Sequence, residues 1–503
     1  MADPVNLGDL TPASVPGGKV ALIDLVDPAA PREYTYDAME RMVRGVARFV
    51  AAQNFPPATR VGILSLNRVE YVAVYFGVMR AGQVAVPINT KLPDDTIDYI
   101  LDDADVRLVF ADSASVARVS GGRPVISFDD DGPWGFGAKL DDGPFVSVTP
   151  KLTDIAQHLY TSGSTGRPKG VPLSHESQLW ALRQRKMPDG ANERFIVAAP
   201  LFHMNGLFST KMVFAMGASM VLMPGFTPRG YIDAVAKYRV TALTSVPTMI
   251  ARVMKETDLL ETLDLSHVKR VTMGSAPTTM NLIQKVQATF PGAILFNSYG
   301  TTEAGPAIFG PHPKGLPMPP LSLGYPLAEG ELKLVDGPNE NEGVLWMRNP
   351  SVMAAYHKLP QQTAKALKDG WYISGDVMRR DENGFFYFVG RADDMFNCSG
   401  ENIYPGEVEK MLEQHPGIHQ ASVVPLADEE RGQMPVAFVV RRPGVPMDYE
   451  AVKQFALAHG PAYQHPRRVE FVDELPLAGT NKIDRRALFL RAQANESAHR
   501  WSA

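Results

Sequence analysis

The stretch Tyr160-Thr-Ser-Gly-Ser-Thr-Gly-Arg-Pro-Lys-Gly170 decides the reading of this chain. Glycines at 163, 166 and 170 let the backbone turn tightly and bring N–H groups close to an anion. Thr161, Ser162, Ser164 and Thr165 add hydroxyl donors, and Lys169 adds a positive charge. Together they suit a polyphosphate. The Walker pattern G-x-x-x-x-G-K-[ST] does not fit, because the spacing from Gly163 to Lys169 is wrong and no Ser or Thr follows the lysine. The loop is therefore a phosphate loop of another kind, set against the alternative of a plain Gly/Ser turn.

Around this loop, short apolar runs alternate with longer amphipathic ones. Residues 61–66, 84–88, 108–111, 218–223 and 241–246 read as buried strands, and 70–79 as a helix. The stretch from Met212 to Phe226 is too short for a membrane span and reads as a buried helix, a turn at Gly217 and a buried strand. Such βα alternation predicts an α/β domain with largely parallel strands; an α+β arrangement is the alternative. At 503 residues more than one core is expected. The character changes at Arg391-Ala-Asp-Asp394, after a strand-like 384–390. The expected division is a large layered N-terminal domain over 1–392 and a small mobile α+β domain over 393–503. In the latter, helices are expected near Pro405 and Tyr449 and strands at 421–424, 435–440 and 468–472.

The net charge of −5 offers no field for a nucleic acid. With Cys398 the only cysteine, no intrachain disulfide can form, which fits a cytoplasmic protein. The start of the chain shows no basic-then-apolar pattern, so no signal peptide is expected.

Further segments, taken with the loop, resemble the adenylate-forming superfamily of acyl- and aryl-CoA ligases, peptide-synthetase adenylation domains and firefly luciferase. Ser298-Tyr-Gly-Thr-Thr-Glu303 resembles Y-G-x-T-E, Trp371-Tyr-Ile-Ser-Gly-Asp376 resembles W-x-x-T-G-D, and Gly390-Arg-Ala-Asp-Asp394 resembles G-R-x-D-D. Asn481-Lys-Ile483 resembles the C-terminal G-K-I. The resemblance implies an ATP-dependent acid–CoA ligase using Mg²⁺ and coenzyme A, closest in character to acid–CoA ligases. A carboxylate attacks ATP to give acyl-AMP and pyrophosphate, and the acyl group then passes to the CoA thiol.

The implied roles follow residue by residue. ATP and AMP fall to Thr161, Ser162, Gly163, Ser164, Thr165, Gly166 and Lys169 in the loop. They fall also to Ser275, Ala276 and Pro277, to Ser298, Tyr299, Gly300, Thr301 and Thr302, and to Asp376 and Arg391. Tyr299 offers a face for adenine, Gly300 a close backbone approach, and Asp376 an acceptor for both ribose hydroxyls. Glu303 is a hard oxygen ligand for Mg²⁺. The residues expected at the chemistry are Lys482, Glu303, His203 and Thr165. Lys482 is the cation that meets charge growing on the bridging oxygen as pyrophosphate leaves. Its segment departs from the family's P-K-T-x-S-G-K: Leu477 stands for the first lysine and Asn481 for the glycine before Lys482.

His203, in Pro200-Leu-Phe-His-Met-Asn-Gly206, is either a gate beside the substrate carboxylate or a core histidine. The acid pocket is expected at His203, Met204, Asn205, Thr244, Met273, Ser298, Gly305 and Pro306, with Gly300 and Gly305 leaving room for a ring or chain. No arginine stands in that set, although Lys269 or Arg270 could reach in. The acid is expected to be aromatic, of the benzoate or hydroxycinnamate kind, or short- to medium-chain aliphatic. Asp393 is the expected hinge, and Ser399, Gly400, Glu401 and Asn402 the CoA path; Cys398 beside them is expected to be passive. A monomer or homodimer without a membrane span is expected. The competing readings are an adenylation enzyme serving a carrier protein, a luciferase-like oxygenase and a non-catalytic nucleotide-binding protein. An acidic residue to pair with an α-amino group is missing near Phe202, which disfavours an amino-acid substrate.

Overall fold

A computed structural model describes the chain except residues 1–3, 134, 142, 162–166, 186, 188, 479–481, 499–500 and 502–503. Two mostly parallel sheets form the bulk of the molecule. One has the order Ile294–Ser298, Arg270–Gly274, Ala242–Ser245, Arg194–Val197, Ser219–Leu222, Val20–Asp24, Arg32–Thr35, parallel except in the last pair. The other runs Val125–Ser127, Val106–Ala111, Arg60–Leu64, Val84–Pro87, Ile155–Thr161, Lys169–Ser174, again parallel except in the last pair. Their strands are short and β-branched or aliphatic because both faces are covered.

The helix Val69–Arg80 (α1) is largely apolar apart from Glu70 and Arg80 near its ends, and every one of its residues is buried. A helix of that composition belongs between layers and not on a surface. It shares one core with strands of both sheets, such as Leu22, Met220, Val61 and Ile63. Gly77 is where the helix Tyr36–Ala52 comes closest: a Cβ there would stand 2.6 Å from Val46. The helices His175–Arg183 (α2) and Met204–Met216 (α3) join the same core. Gly217 ends α3 in the left-handed conformation at φ 66°, as a glycine stop should, and the strand Ser219–Leu222 follows.

A third, antiparallel sheet of Glu331–Asn339, Glu342–Arg348, Trp371–Arg380, Leu367–Lys368 and Phe386–Arg391 was only partly visible in the sequence, as the run 384–390. Its strands are more polar and carry register shifts, which blunts the alternation that would have marked them.

Sheet membership changes between Arg391 and Phe396. Phe386–Arg391 pairs with Trp371–Arg380, whereas Phe396–Cys398 pairs with Glu401–Ile403 and with Gly432–Arg441. The last sheet adds Ile418–Asp428 and Arg468–Val472, and the helices Pro405–Leu412 (α4), Tyr449–His459 and Arg485–Ser497 flank it. The buried residues on its two faces all lie beyond 395, so this unit has cores of its own. No described helix is long and apolar enough to cross a membrane.

Candidate active site

A cleft of about 1650 Å³ opens at the carboxyl ends of the large sheet's parallel strands and is closed from above by the C-terminal unit. In open parallel sheets ligands bind at that edge, because the loops there converge.

The phosphate loop joins two paired strands, with Thr161 opposite Lys169. Residues 162–166, and with them the expected donors Ser162, Gly163, Ser164, Thr165 and Gly166, lie outside the described residues. The flanks are informative. The Thr161 hydroxyl is buried and has no hydrogen-bond partner among the described residues, as a group awaiting a ligand would be. Lys169 Nζ donates to Tyr356 Oη at 3.3 Å and lies 4.3 Å from the centre of that ring. Tyr356 Oη donates to Glu303 Oε1 at 2.9 Å. One phenol therefore ties the loop lysine to the acid expected to face the metal, and Glu303 is itself only 9% exposed. The third glycine corrects the expectation. Gly170 sits in the strand Lys169–Ser174, where a Cβ would stand 2.3 Å from His158 Nε2, so close packing and not anion binding requires it.

The strand Ile294–Ser298 delivers Tyr299 and a tight turn in which Thr301 N donates to Gly305 O at 3.1 Å and Ala304 N to Thr301 Oγ1 at 3.0 Å. Thr301, Thr302, Ser275, Ala276 and Pro277 line the cleft. Ser275 holds a left-handed φ of 66°, a strained value that the loop must enforce. Tyr299 lines the cleft too, but its hydroxyl donates to Asp376 Oδ2. Burial and the Asp376 carboxylate push the phenol's pKa up, so it stays a donor. Gly300 lines the cleft too, and its turn is tightly packed. A Cβ there would meet Pro306 Cα at 2.6 Å and Gly305 O at 2.7 Å, so the turn's own packing excludes a side chain.

Asp376 stands directly opposite Arg391 across two strands, and Arg391 Nη1 donates to Asp376 Oδ1 at 2.9 Å. Burial raises the Asp376 pKa against the pull of Arg391. Arg391 also reaches Ser374 O at 3.2 Å and Asp393 Oδ2 at 3.3 Å. Asp393 is thereby held beside the site at the point where sheet membership changes.

Lys482 arrives on the C-terminal unit. Its segment is a narrow stem: Leu477 bridges Ile483, Ala478 N donates to Lys482 O at 2.7 Å, and Asp484 N to Pro476 O at 2.8 Å. Asn481, which departs from the family pattern, lies outside the described residues. Below the stem, Arg485 Nη2 pairs with Glu409 Oε2 of α4 at 2.6 Å, which anchors the loop to its own unit. Lys482 reaches into the cleft and stays accessible from within it. Desolvation by the walls lowers its pKa, Asp376 opposes that and Arg391 adds to it. The ammonium thus faces the Asp376–Arg391 pair.

His203 precedes α3 and lines the same cleft. Burial pulls its pKa to about 4, with the cations Lys482 and Lys91 adding, so the ring is neutral near pH 7. Its Nε2 is buried with no hydrogen-bond partner among the described residues. Such an orphan favours the gate over a satisfied core histidine.

Of the expected acid pocket, Met204, Asn205, Thr244, Ser298 and Pro306 line the cleft. Two residues do not belong there. Met273 is 1% exposed and packs in the core beneath the large sheet, because strand alternation turns it away from the cleft. Gly305, at φ 90°, faces Ser351, whose Cβ a side chain would meet at 2.4 Å. The hydroxyls of Thr244 and Ser298 are not free donors either: they donate to Ile196 O at 2.7 Å and to Met273 O at 3.4 Å. Arg270 lines the cleft, yet its guanidinium lies 3.9 Å from Glu193. The residue that sequence reasoning missed is Arg185, just after α2, which also lines the cleft.

Ser399, Gly400, Glu401 and Asn402 stand apart from all of this. They form the exposed tip of the hairpin Phe396–Cys398 and Glu401–Ile403 and do not line the cleft. Cys398 is fully buried in that hairpin.

A two-anion transfer is a chemistry this arrangement suits: Tyr299, Asp376, Arg391 and Glu303 line one cleft, and the Lys482 cation enters it. The family models agree. Residues 11–357 match the AMP-binding enzyme model and residues 407–482 the AMP-binding enzyme C-terminal domain, so the chain belongs to the AMP-binding enzyme family. It is 31% identical over 466 residues to a feruloyl-CoA synthase from Amycolatopsis sp, covering 89% of this chain and 92% of the relative. It is 30% identical over 478 residues to the fatty acid–[acyl-carrier-protein] ligase ScoC from Streptomyces coeruleorubidus, covering 91% of each. Among solved structures, ATP-bound MatB from Rhodopseudomonas palustris superposes with a TM-score of 0.88 at 25% identity, over 97% of this chain and 99% of that one.

Proposed function

We propose that this chain is an ATP-dependent acid–CoA ligase of the AMP-forming kind, acting in the cytoplasm on an aromatic acid or a short- to medium-chain aliphatic acid. The observation that carries the reading is the entry of Lys482, from a unit with its own core, into a cleft lined by Glu303, Asp376 and Arg391, with Lys169 tied to Glu303 through Tyr356. The feruloyl-CoA synthase relative supports the aromatic side of the proposal.

In the first step a carboxylate oxygen attacks the α-phosphorus of ATP. The new O–P bond forms as the bond to the bridging oxygen breaks, and the electron pair leaves with pyrophosphate. No general base is required, because the acid is already ionised at neutral pH. Lys482 faces the growing charge, and neutral His203 borders the carboxylate without adding a second cation. Thr161 and Lys169 hold the phosphates, while Asp376 and Arg391 fix the ribose. Glu303 is the residue that would hold Mg²⁺, and its buried carboxylate held by the Tyr356 hydroxyl fits a hard cation at the phosphates. The ion supplies charge neutralisation at the phosphate oxygens.

In the second step the CoA thiolate attacks the acyl carbon and AMP departs. The expected CoA path, Ser399 to Asn402, lies outside the cleft in this arrangement, so the C-terminal unit must rotate to present it. We place the hinge at Asp393, between two strands of different sheets. The resulting division is 1–392 and 393–503.

A second reading, transfer to the thiol of a carrier protein, is favoured by the ScoC relative. Pyrophosphate release from ATP across a panel of acids, with and without CoA, separates the two. Steady turnover that needs CoA is expected. A burst of release that stops at one equivalent with CoA present, and resumes with a phosphopantetheinylated carrier, would replace the ligase by the carrier reading.

A further inference from the structure

The cleft holds a cation that the two-step reaction does not use. Arg185 follows the last turn of α2 and lines the cleft. Among the described residues it has neither an ion pair nor a side-chain hydrogen bond. The carboxylates that bond to this helix are engaged elsewhere. Glu176 pairs with Arg183, and Glu329 accepts from Trp180 Nε1 at 2.7 Å and from Gln184 Nε2 at 3.0 Å. Arg185 is partly exposed to the cleft, so its guanidinium is open to a ligand there. Burial alone pulls its pKa to about 10, which still leaves it a cation at neutral pH.

Its place along the cleft follows from the packing of α2 against α3. Gln178 accepts from Lys211 of α3, and the segment after α2 reaches the far end of that helix, where a Cβ at Gly190 would stand 2.5 Å from Met216 Sδ. Arg185 therefore lies along the second half of α3. The wall between it and His203 is Met204, Phe208 and Met212, spaced i, i+4, i+8 on one face of α3, and all three line the cleft. Eight residues of helix span about 12 Å. One end of this apolar run is the His203–Lys482 end, where the reacting carboxylate must sit, and the other is Arg185.

We propose that the acid activated here is a dicarboxylate, one carboxylate adenylated beside Lys482 and the other paired with Arg185 across an apolar body that lies along Met204, Phe208 and Met212. This rests on the acid–thiol ligase reading and sharpens its substrate class. A planar guanidinium suits a terminal carboxylate because it can donate two parallel hydrogen bonds.

The test is a set of matched pairs: nonanedioate with nonanoate, and 4-carboxycinnamate with 4-methylcinnamate. Acid-dependent pyrophosphate release is measured for the intact chain and for Arg185→Met and Arg185→Lys. The intact chain should favour at least one diacid over its partner by about 100-fold in kcat/KM, since a site that pairs a polar substrate group rejects the analogue lacking it. Arg185→Met should remove that preference while leaving the KM for ATP unchanged, and Arg185→Lys should restore part of it. Arg185→Met should also bind the monoacid as well as or better than the intact chain. Equal or better use of the monoacids by the intact chain would overturn the proposal and leave the ligase reading standing. An equal loss for both members of a pair in Arg185→Met would do the same, by showing that the residue only supports the fold. No release with any acid would remove the ligase reading itself.

Discussion

At the scale of single residues, the site is a set of charges whose environments differ by design of the fold. Lys482 is accessible from the cleft, yet its pKa is lowered by the surrounding walls. In the proposed reaction adenylation depends on the cationic form, so the rate should fall as pH rises toward that lowered pKa. The alkaline limb is then expected below the ordinary lysine range, and Lys482→Arg should move it upward by keeping the charge. Lys482→Ala should cost adenylation about 10²- to 10³-fold, the scale on which a single transition-state donor acts. Thioester formation from supplied acyl-AMP should be largely spared. Single-turnover measurements of the two half-reactions check both, and equal losses in the two would contradict the division of labour. The acidic side should be quiet near pH 6.5, because His203 titrates at about 4.

At the scale of elements, α3 does two things at once. One face lines the cleft with Met204, Phe208 and Met212, and another buries Lys211 completely. Lys211 bonds Gln178, and its Nζ lies 3.5 Å from Gln157 Oε1, with no carboxylate paired to it among the described residues. Burial pulls its pKa to about 7. An unfolded chain would keep the proton up to the ordinary lysine range, so between about pH 7 and 10 the unfolded state binds more protons. Stability must therefore rise with pH across that window, by up to about 1.4 kcal/mol per unit from this group. Lys211→Met should remove that part of the slope. Denaturant unfolding of both proteins at pH 7 and pH 9 measures it, and parallel slopes would mean that Lys211 is not charged differently in the two states.

Elements also show where pattern reading stops. The helix over 70–79 is found as Val69–Arg80, and the strands expected at 61–66 and 241–246 as Arg60–Leu64 and Ala242–Ser245. These were legible because apolar runs between turn residues leave few alternatives. Met273 was not legible. Thr272 beside it lines the cleft, but a one-residue step along a strand turns a side chain to the opposite face. Gly305 was misread for a related reason: a glycine marks a close approach without saying to what.

At the scale of the whole molecule, the question is how one unit serves two half-reactions. The C-terminal cores contain no residue before 396, and the chain enters that unit through the short run from Arg391 to Phe396. That geometry fits the hinge proposed at Asp393. Asp393→Pro should fix φ near −65° and hinder rotation. Adenylation is expected to continue at a similar rate while thioester formation from bound acyl-AMP falls by about tenfold or more, since the closing motion gates that step. Rapid-quench measurement of both steps checks this, and an unslowed second step would place the hinge elsewhere.

The sequence by itself determined the class of protein, the order of its segments and the chemical types at the nucleotide site. Those properties reside in contiguous motifs, where backbone freedom, charge and hydroxyl density are set locally. Only the tertiary structure decided which of these residues meet. It joined Lys169 to Glu303 through Tyr356, a residue with no local signal of its own. It brought Lys482 to Asp376, more than a hundred positions earlier in the chain. It also left Arg185 facing a cleft with no partner among the described residues, which no spacing rule could foretell, because an arginine's partner is set by packing across elements and not by its neighbours in sequence.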